Sequence, residues 1–364
     1  MAVRNLTSAP PAQSDTLRQV LDLWRTEFAD ATIGPDDDYF SLGGDSLLAL
    51  ELLKRVREDI YDVDFSPTAL IHCPTPRRLA ALIDRAADRS EADLESLSVG
   101  LIPLRESPRS SKAPLICIHA IDGGVMFYRQ LVEQLPDDRD YYAIEASATD
   151  GPANEDITAI ARRYLARIKA ELPHGPYLLA GYSFGALIAH EISRLAVESG
   201  DKVEGLILYD MFNPAETRIR PVVGRLVHCW RQSSDQGLIR AAWKLAARMG
   251  SLAGWMLRHQ AERLWLHPSL LDPAHRRRIA IRRKNEGLIR DCRPGVYGGR
   301  TLILATEENT DKFECSDQLG WENILTGEFG VHRVTGNHLQ IFEKPHLSLT
   351  SGYTRRFLAG EAVE

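Results

Sequence analysis

No apolar run in the 364 residues is long enough to span a bilayer. The opening stretch Met-Ala-Val-Arg-Asn-Leu-Thr-Ser-Ala-Pro-Pro has no continuous apolar core of the kind a signal peptide carries. Both absences point to a cytoplasmic protein with no membrane partner. Cysteine is sparse: Cys73, Cys117, Cys229, Cys292 and Cys315 are scattered, with no Cys-x-x-Cys pair and no Cys/His cluster. That argues against a disulfide frame and a zinc site, and leaves reduced, mostly buried thiols as the reading; no metal is expected. There is no internal repeat and no low-complexity tract. Neither sign of charge dominates, 44 Lys+Arg against 50 Asp+Glu, and no nucleic-acid partner is expected.

What is present is ordinary in bulk and uneven in arrangement. A 44% hydrophobic fraction is enough for a sizeable core, and the length suggests two or three domains. Residues 1–100 carry 10 basic and 18 acidic side chains, whereas residues 213–294 carry 17 and 6. An acidic front and a basic insert can steer each other; two differently charged solvated faces are the plainer account.

Residues 1–14 are rich in Pro, Ala and Ser and read as disordered. Leu17, Val20, Leu21, Leu23, Trp24 and Phe28 then recur at helical spacing, and Leu47 to Val56 repeat the pattern from Ser46 onward. Pro74-Thr-Pro76 breaks the chain before a further helix over Leu79 to Ala87. These segments predict a small all-α four-helix bundle over 15–90. A charged, then Ser/Pro/Gly-bearing stretch over 91–113 reads as a linker. From 114 to 364 the pattern alternates. Strands are predicted at Leu115–Ile118, Tyr141–Glu145, Tyr177–Ala180, Gly205–Tyr209, Thr301–Ala305 and Gly330–Val334, with helices between most of them. Apolar runs separated by helices predict a mainly parallel sheet covered on both faces. Residues from about 213 to 294 interrupt the rhythm. They read as helices, Leu238 to Met249 and Leu252 to Trp265 among them, with no clear strand, and are expected to form a lid over the sheet's carboxyl edge.

Gly181-Tyr-Ser-Phe-Gly185 is the sharpest signal. It follows the apolar run Pro176–Ala180 and precedes the helical pattern Ala186–Ile192. Strand, sharp turn and helix are the context in which Gly-x-Ser-x-Gly presents a nucleophile. The bland alternative is a structural Gly-Ser-Gly turn. A serine hydroxyl is a weak nucleophile and needs a base, which in turn needs an orienting carboxylate. Asp210 ends the next predicted strand, one helix-plus-strand unit on, and so falls on the same sheet edge as Ser183. His338 stands in Gly336-Asn-His338, just past the last strand, where it can reach back to the serine; His346 is the runner-up, and His190 reads as a packing or surface residue. A tetrahedral intermediate needs donors for its oxygen. The backbone N–H of Phe184 is one. The other is expected in the loop His119-Ala-Ile-Asp-Gly-Gly124, from Ile121, with Ala120 as the alternative. The order Ser, Asp, His is that of an α/β-hydrolase fold.

A second motif lies far away: Asp38-Tyr-Phe-Ser-Leu-Gly-Gly-Asp-Ser46-Leu, then a Leu-rich helix. Taken alone, Ser46 reads as a helix N-cap. The whole pattern closely resembles the peptidyl-carrier domains of nonribosomal peptide synthetases. The resemblance implies that Ser46 carries 4′-phosphopantetheine, placed there by a phosphopantetheinyl transferase. Residues 113–360 resemble the type I thioesterase domain of such synthetases, on Leu115–Gly124, Gly181–Gly185, Leu206–Asp210 and Gly336–His338. Two departures are visible: Ala120 where a proline often follows the loop histidine, and Glu145-Ala-Ser-Ala-Thr where a Pro-Gly-containing stretch is usual.

The resemblance implies a carrier–thioesterase didomain in nonribosomal peptide or hybrid polyketide biosynthesis, a source of antibiotics and other secondary metabolites. Ser183 would take the acyl or peptidyl chain from the carrier and release it by hydrolysis or macrocyclisation, with upstream synthetase modules or a loading protein supplying it. Trp243, Trp255, Met256, Leu257 and Trp265 suggest an apolar acyl pocket or simply a helix core. The runs Arg276–Arg278 and Arg282–Lys284 suggest contacts to the acidic carrier or a phosphate. A proofreading thioesterase, a plain serine esterase and a non-catalytic carrier or docking module are the competing readings.

Overall fold

The structure, a computed structural model, describes residues 15–63, 65–87, 100–108, 110–146, 155–221 and 273–362. It divides into two compact units, residues 1–97 and 98–364. Among the described residues no helix is long and apolar enough to cross a membrane.

The first unit has helices α1 (Asp15–Glu27), α2 (Ser46–Asp59), the single turn α3 (Ala69–His72) and α4 (Pro76–Ala87). The helical periodicity translates into one apolar face on α1: Leu17, Val20, Leu21, Leu23 and Trp24 are all buried. Those side chains meet Ala49, Leu52, Leu53 and Val56 of α2 and Leu79, Ala80 and Ile83 of α4 in a single core. Trp24 and Tyr39 are fully buried at its centre, edge to face with ring centroids 5.6 Å apart.

The second unit is a seven-stranded sheet of β1 (Ile102–Arg105), β2 (Leu115–Ile118), β3 (Tyr141–Ile144), β4 (Tyr177–Tyr182), β5 (Val203–Tyr209), β7 (Thr301–Thr306) and β9 (Phe329–Val334), ordered β1-β3-β2-β4-β5-β7-β9. Only β1 runs antiparallel to its neighbour β3; the other pairings are parallel. Every residue of β2, β4 and β7 is buried, as the continuous apolar runs require of strands covered on both faces. The described helices are α5 (Tyr128–Glu133), α6 (Ile157–Glu171), α7 (Phe184–Glu198), α8 (Pro273–Asp291), α9 (Glu307–Lys312) and α10 (Leu347–Leu358). Helix α7 has an unbroken buried stretch from Phe184 to Ser193, so it packs on all sides rather than along one stripe.

Two expectations need correction. The stretch 91–113 is not linker throughout: Ile102–Arg105 adds the edge strand β1, pairing Ile102 with Ala143 and Pro103 with Tyr142. The segment is short, and Pro103 within it depresses the strand signal, but an edge strand tolerates proline because one side of its backbone needs no partner. The stretch 213–294 is not free of strand either. The two-residue β6 (Arg218–Ile219) pairs antiparallel with β8 (Phe313–Glu314); two residues are too few to show any alternation. Helix α8 falls within the helical expectation. The helices expected at 238–249 and 252–265, and the aromatic and Met side chains on them, lie outside the described residues.

Candidate active site

Register places the site. Tyr182 of β4 pairs with Tyr209 of β5, so Ser183 and Asp210, the next residue on each strand, emerge side by side at the same carboxyl edge. The Ser183 N–H donates to Tyr209 O at 2.9 Å, and the Asp210 N–H donates to Leu304 O at 2.6 Å. Both residues sit at positive φ, 54° and 52°. For a side-chain-bearing residue that conformation is strained, and it persists only where surrounding structure holds it. At Ser183 the cause is legible. A Cβ on Gly181 would lie 2.1 Å from Gly185 O, and a Cβ on Gly185 would lie 2.2 Å from His119 O. The two glycines let α7 start directly on top of β4 and against β2, and Ser183 is the hinge between strand and helix.

His338 follows β9 in a one-turn 3-10 helix, His338–Gln340, whose first N–H groups are capped by the Asn337 side chain. Its Nε2 is 3.0 Å from Ser183 Oγ and its Nδ1 is 2.7 Å from Asp210 Oδ2. The Ser183–His338–Asp210 chain expected from sequence is thus assembled from three separate strand ends. The imidazole side chain is 31% exposed and the carboxylate fully buried, so a substrate can reach one end of the chain and water cannot reach the other.

Several residues that the sequence reading passed over complete the arrangement. The Asp210 carboxylate accepts from Thr306 N–H at 2.7 Å, from Thr306 Oγ1 at 2.9–3.0 Å and from Asn309 Nδ2 at 2.8 Å. Thr306 also caps α9, its hydroxyl accepting from Asn309 N–H. Tyr182 stacks on the His338 ring, centroids 4.8 Å apart, and its hydroxyl donates to His338 O at 2.5 Å; burial raises that phenol far above its usual range, so it stays a donor. The Tyr182 position inside the Gly-x-Ser-x-Gly motif was a signal available in the sequence. Thr306 and Asn309, in a polar run after β7, gave none.

The loop after β2 is ordered by its own bonds. His119 is 2% exposed. Its Nε2 lies 2.9 Å from the Tyr164 hydroxyl and its Nδ1 lies 2.7 Å from Ala120 O, which also accepts from Gly123 N–H at 3.0 Å. A trans peptide is rigid, so fixing Ala120 C=O fixes the direction of the Ile121 N–H on the opposite side of the same plane. The Ala120 N–H is already spent on Gly124 O at 3.0 Å, which removes Ala120 as a free donor. Among the described residues neither Ile121 N–H nor Phe184 N–H meets a protein acceptor.

The remaining histidines fall elsewhere. His346 hydrogen-bonds Thr335 Oγ1 at 2.8 Å, and its ring fills the space beside Gly336, whose φ is +92°. That shapes the approach to His338 and leaves His346 off the serine. His190 is 1% exposed, packed against Tyr297 and Trp321; burial pushes its pKa down to about 4. Of the basic runs, Arg282 pairs with Glu286 along its own helix and Lys284 faces Glu155.

In the first unit, Ser46 opens α2. The capping role is taken by Asp45, whose Oδ1 accepts from Leu48 N–H at 2.9 Å, so Ser46 is the first helical residue rather than the cap. The loop before it is built tightly on one side and open on the other. A Cβ on Gly44 would strike the Tyr39 ring at 2.3 Å, while Gly43, at φ +92°, has nothing within 4 Å. The Tyr39 hydroxyl donates to Asp45 O at 2.9 Å and pins the turn to the core. An accessible turn at a helix N-terminus, with N–H groups and a positive dipole end at hand, fits a phosphodiester on Ser46.

Comparison with known proteins agrees with both halves. A family model for the phosphopantetheine attachment site matches residues 18–83, and one for the thioesterase domain matches residues 113–221. Among curated relatives, the malpinin synthetase of Mortierella alpina is 28% identical over 310 residues, 84% of this chain and 4% of that protein. The chondramide synthase of Chondromyces crocatus is 25% identical over 356 residues, 94% of this chain and 9% of that protein. The chain therefore spans less than a tenth of either relative. Among solved structures, a four-domain nonribosomal peptide synthetase bound to AMP and glycine aligns with a TM-score of 0.55 at 20% identity, over 98% of this chain and 27% of that one. The NocB thioesterase domain in covalent complex with a fluorophosphonate nocardicin G analogue aligns at 0.51 with 24% identity, over 70% and 97%. These two likenesses speak to the fold. With a phosphopantetheine attachment domain followed by a thioesterase domain, the chain is a carrier–thioesterase didomain, similar over most of its length to the synthetases above.

Proposed function

We propose that this didomain releases an acyl or peptidyl chain held as a thioester on its own carrier domain, by hydrolysis or macrocyclisation, through an acyl-enzyme on Ser183. The observation that carries the reading is the Ser183–His338–Asp210 hydrogen-bonded chain, 3.0 Å and 2.7 Å, in one polypeptide with a carrier domain.

The geometry supports the following roles. His338 Nε2 accepts the proton of Ser183 Oγ as the oxygen attacks the thioester carbonyl carbon. Asp210 accepts from His338 Nδ1–H, which keeps Nε2 unprotonated in the resting state and stabilises the imidazolium once formed. The N–H groups of Ile121 and Phe184 receive the negative oxygen of the tetrahedral intermediate, and α7 adds its positive end. Collapse of that intermediate breaks the carbon–sulfur bond, and the His338 proton leaves with the thiol. The second half repeats the proton traffic with water, or with a hydroxyl or amine of the acyl chain, as the attacking group.

Ser46 is the residue that would hold 4′-phosphopantetheine, with the α2 N-terminus beside its phosphate. The group supplies a thiol on a flexible arm, on which the acyl chain is carried. The reading also implies a phosphopantetheinyl transferase and a protein or module that loads the carrier.

The test is intact mass spectrometry after charging the full chain with a peptidyl-CoA and a broad-specificity phosphopantetheinyl transferase. Ser46→Ala should take up nothing. Wild type should load and then clear the peptidyl mass, while Ser183→Ala should retain it. The mass released separates a free acid from a ring. Failure of wild-type protein to gain the arm would overturn the carrier half and leave a plain serine esterase.

A further inference from the structure

Asn285 is a buried amide on α8, 4% exposed, and its Nδ2 donates to Ile121 O at 2.9 Å. An amide is costly to bury without a partner; here its partner is the carbonyl of the residue whose N–H is assigned above to the oxyanion. Helix α8 is seated at this point by two further contacts. Lys284 Nζ lies 3.8 Å from Glu155 Oε2, and Glu155 in turn pairs with Arg163 of α6. On the loop side, Ile281 Cδ1 would lie 3.5 Å from a Cβ on Gly123.

The loop's internal bonds hold the peptide before Ile121, through Ala120 O, and close a turn from Ala120 to Gly123; none of them reaches the Ile121 carbonyl. The peptide after Ile121 has its carbonyl held by Asn285, and among the described residues no other donor reaches it. Holding the carbonyl on one side of Ile121 and the N–H plane on the other sets both backbone dihedrals of that residue. Without Asn285 the peptide after Ile121 would be free to turn, the loop would lose its hydrogen bond to α8, and the Ile121 N–H would be held against the developing oxygen by the loop's own bonds alone. Orientation matters here because such donors contribute to rate only when aimed in advance.

We propose that Asn285 is a positioning residue for this reaction: from α8 it fixes the Ile121 backbone so that the Ile121 N–H faces the oxyanion. The proposal rests on the reading of Ile121 and Phe184 as oxyanion donors.

The test uses the full-length chain, p-nitrophenyl butanoate and its thiono counterpart, in which sulfur replaces the carbonyl oxygen. Sulfur is a poorer and larger acceptor, so a working oxyanion hole prefers the oxygen ester, after correction for the hydroxide rates. Wild type should show that preference. Asn285→Leu, which keeps bulk without a donor, and Asn285→Asp, which keeps shape and turns an acceptor on the carbonyl, should each lower kcat on the oxygen ester by about tenfold, less than the loss of a whole donor. KM should stay within about twofold, and the oxygen preference should shrink. Thermal unfolding of each variant separates this from misfolding. A wild-type preference that persists undiminished in a folded variant overturns the role of Asn285 alone. A wild-type enzyme with no preference overturns the oxyanion reading itself, and this proposal with it.

Discussion

The Asn309 amide reaches Asp210 Oδ2 at 2.8 Å, the same oxygen that faces His338 Nδ1 at 2.7 Å. Asn309 is 6% exposed and lies on α9, immediately past the sheet strand β7. With Thr306 donating to both carboxylate oxygens, Asp210 has no freedom to rotate away from the imidazole. The site therefore takes parts from the ends of β4, β5, β7 and β9, and its carboxylate is aimed by a helix that contributes nothing to the serine directly. Asn309→Ala should lower kcat by about tenfold with KM little changed, since it alters how a proton acceptor is held and not how substrate binds. Asn309→Ser, which keeps a short donor, should recover part of the loss.

Asp210→Asn keeps the shape of the side chain and reverses what it offers His338. The imidazole would then present the wrong tautomer to Ser183, and kcat should fall by roughly 10⁴. Labelling of Ser183 by a fluorophosphonate probe, followed by mass spectrometry, should slow in parallel.

Gly185→Ala should damage fold and site together. Its Cβ would lie 2.2 Å from the backbone oxygen of His119, and backbone in a packed sheet cannot move aside as a side-chain tip can. The expected cost is about 3 kcal/mol or more, read as a lowered midpoint in denaturant unfolding. By contrast Gly287→Ala, with open space around it on α8, should leave that midpoint unchanged or raise it slightly.

His190 predicts an acid-side loss of stability. Its folded-state pKa is pushed down to about 4 by burial, below the ordinary histidine value of about 6.5. Between those two pH values the unfolded chain binds a proton that the native state refuses, so stability falls as pH falls through that window and levels off below it. The lost term is roughly 3 kcal/mol. His190→Leu should flatten the slope of unfolding free energy against pH by about one proton between pH 6.5 and 4, measured beside wild type so that shared carboxylate effects cancel.

In the first unit, Trp24→Ala should cost about 3–5 kcal/mol, because the side chain is fully buried against Tyr39. Tyr39 also pins the turn before Ser46. Transfer of the pantetheine arm to Ser46 should therefore slow in Trp24→Ala at temperatures near its unfolding midpoint, while ester cleavage by the second unit stays unchanged.

Local chemistry is what the amino-acid order alone determined. The glycines around Ser183, the apolar runs of β2, β4, β5 and β7, the helical stripe of α1 and the Gly-Gly-Asp-Ser turn each rest on short-range geometry. Propensity and periodicity report that geometry directly, which is why Ser183, Asp210 and His338 could be chosen as partners from strand ends. Folding decided what depends on long-range register. It brought Thr306 and Asn309 to Asp210, almost a hundred residues away in the chain, and laid Tyr182 on the ring of His338. It also spent the Ala120 N–H inside its own loop, and drew Ile102–Arg105 out of an apparent linker into the sheet edge. A hydrogen bond across such a span has no signature in either sequence neighbourhood, because the energy that selects it exists only once the sheet has closed around a common core.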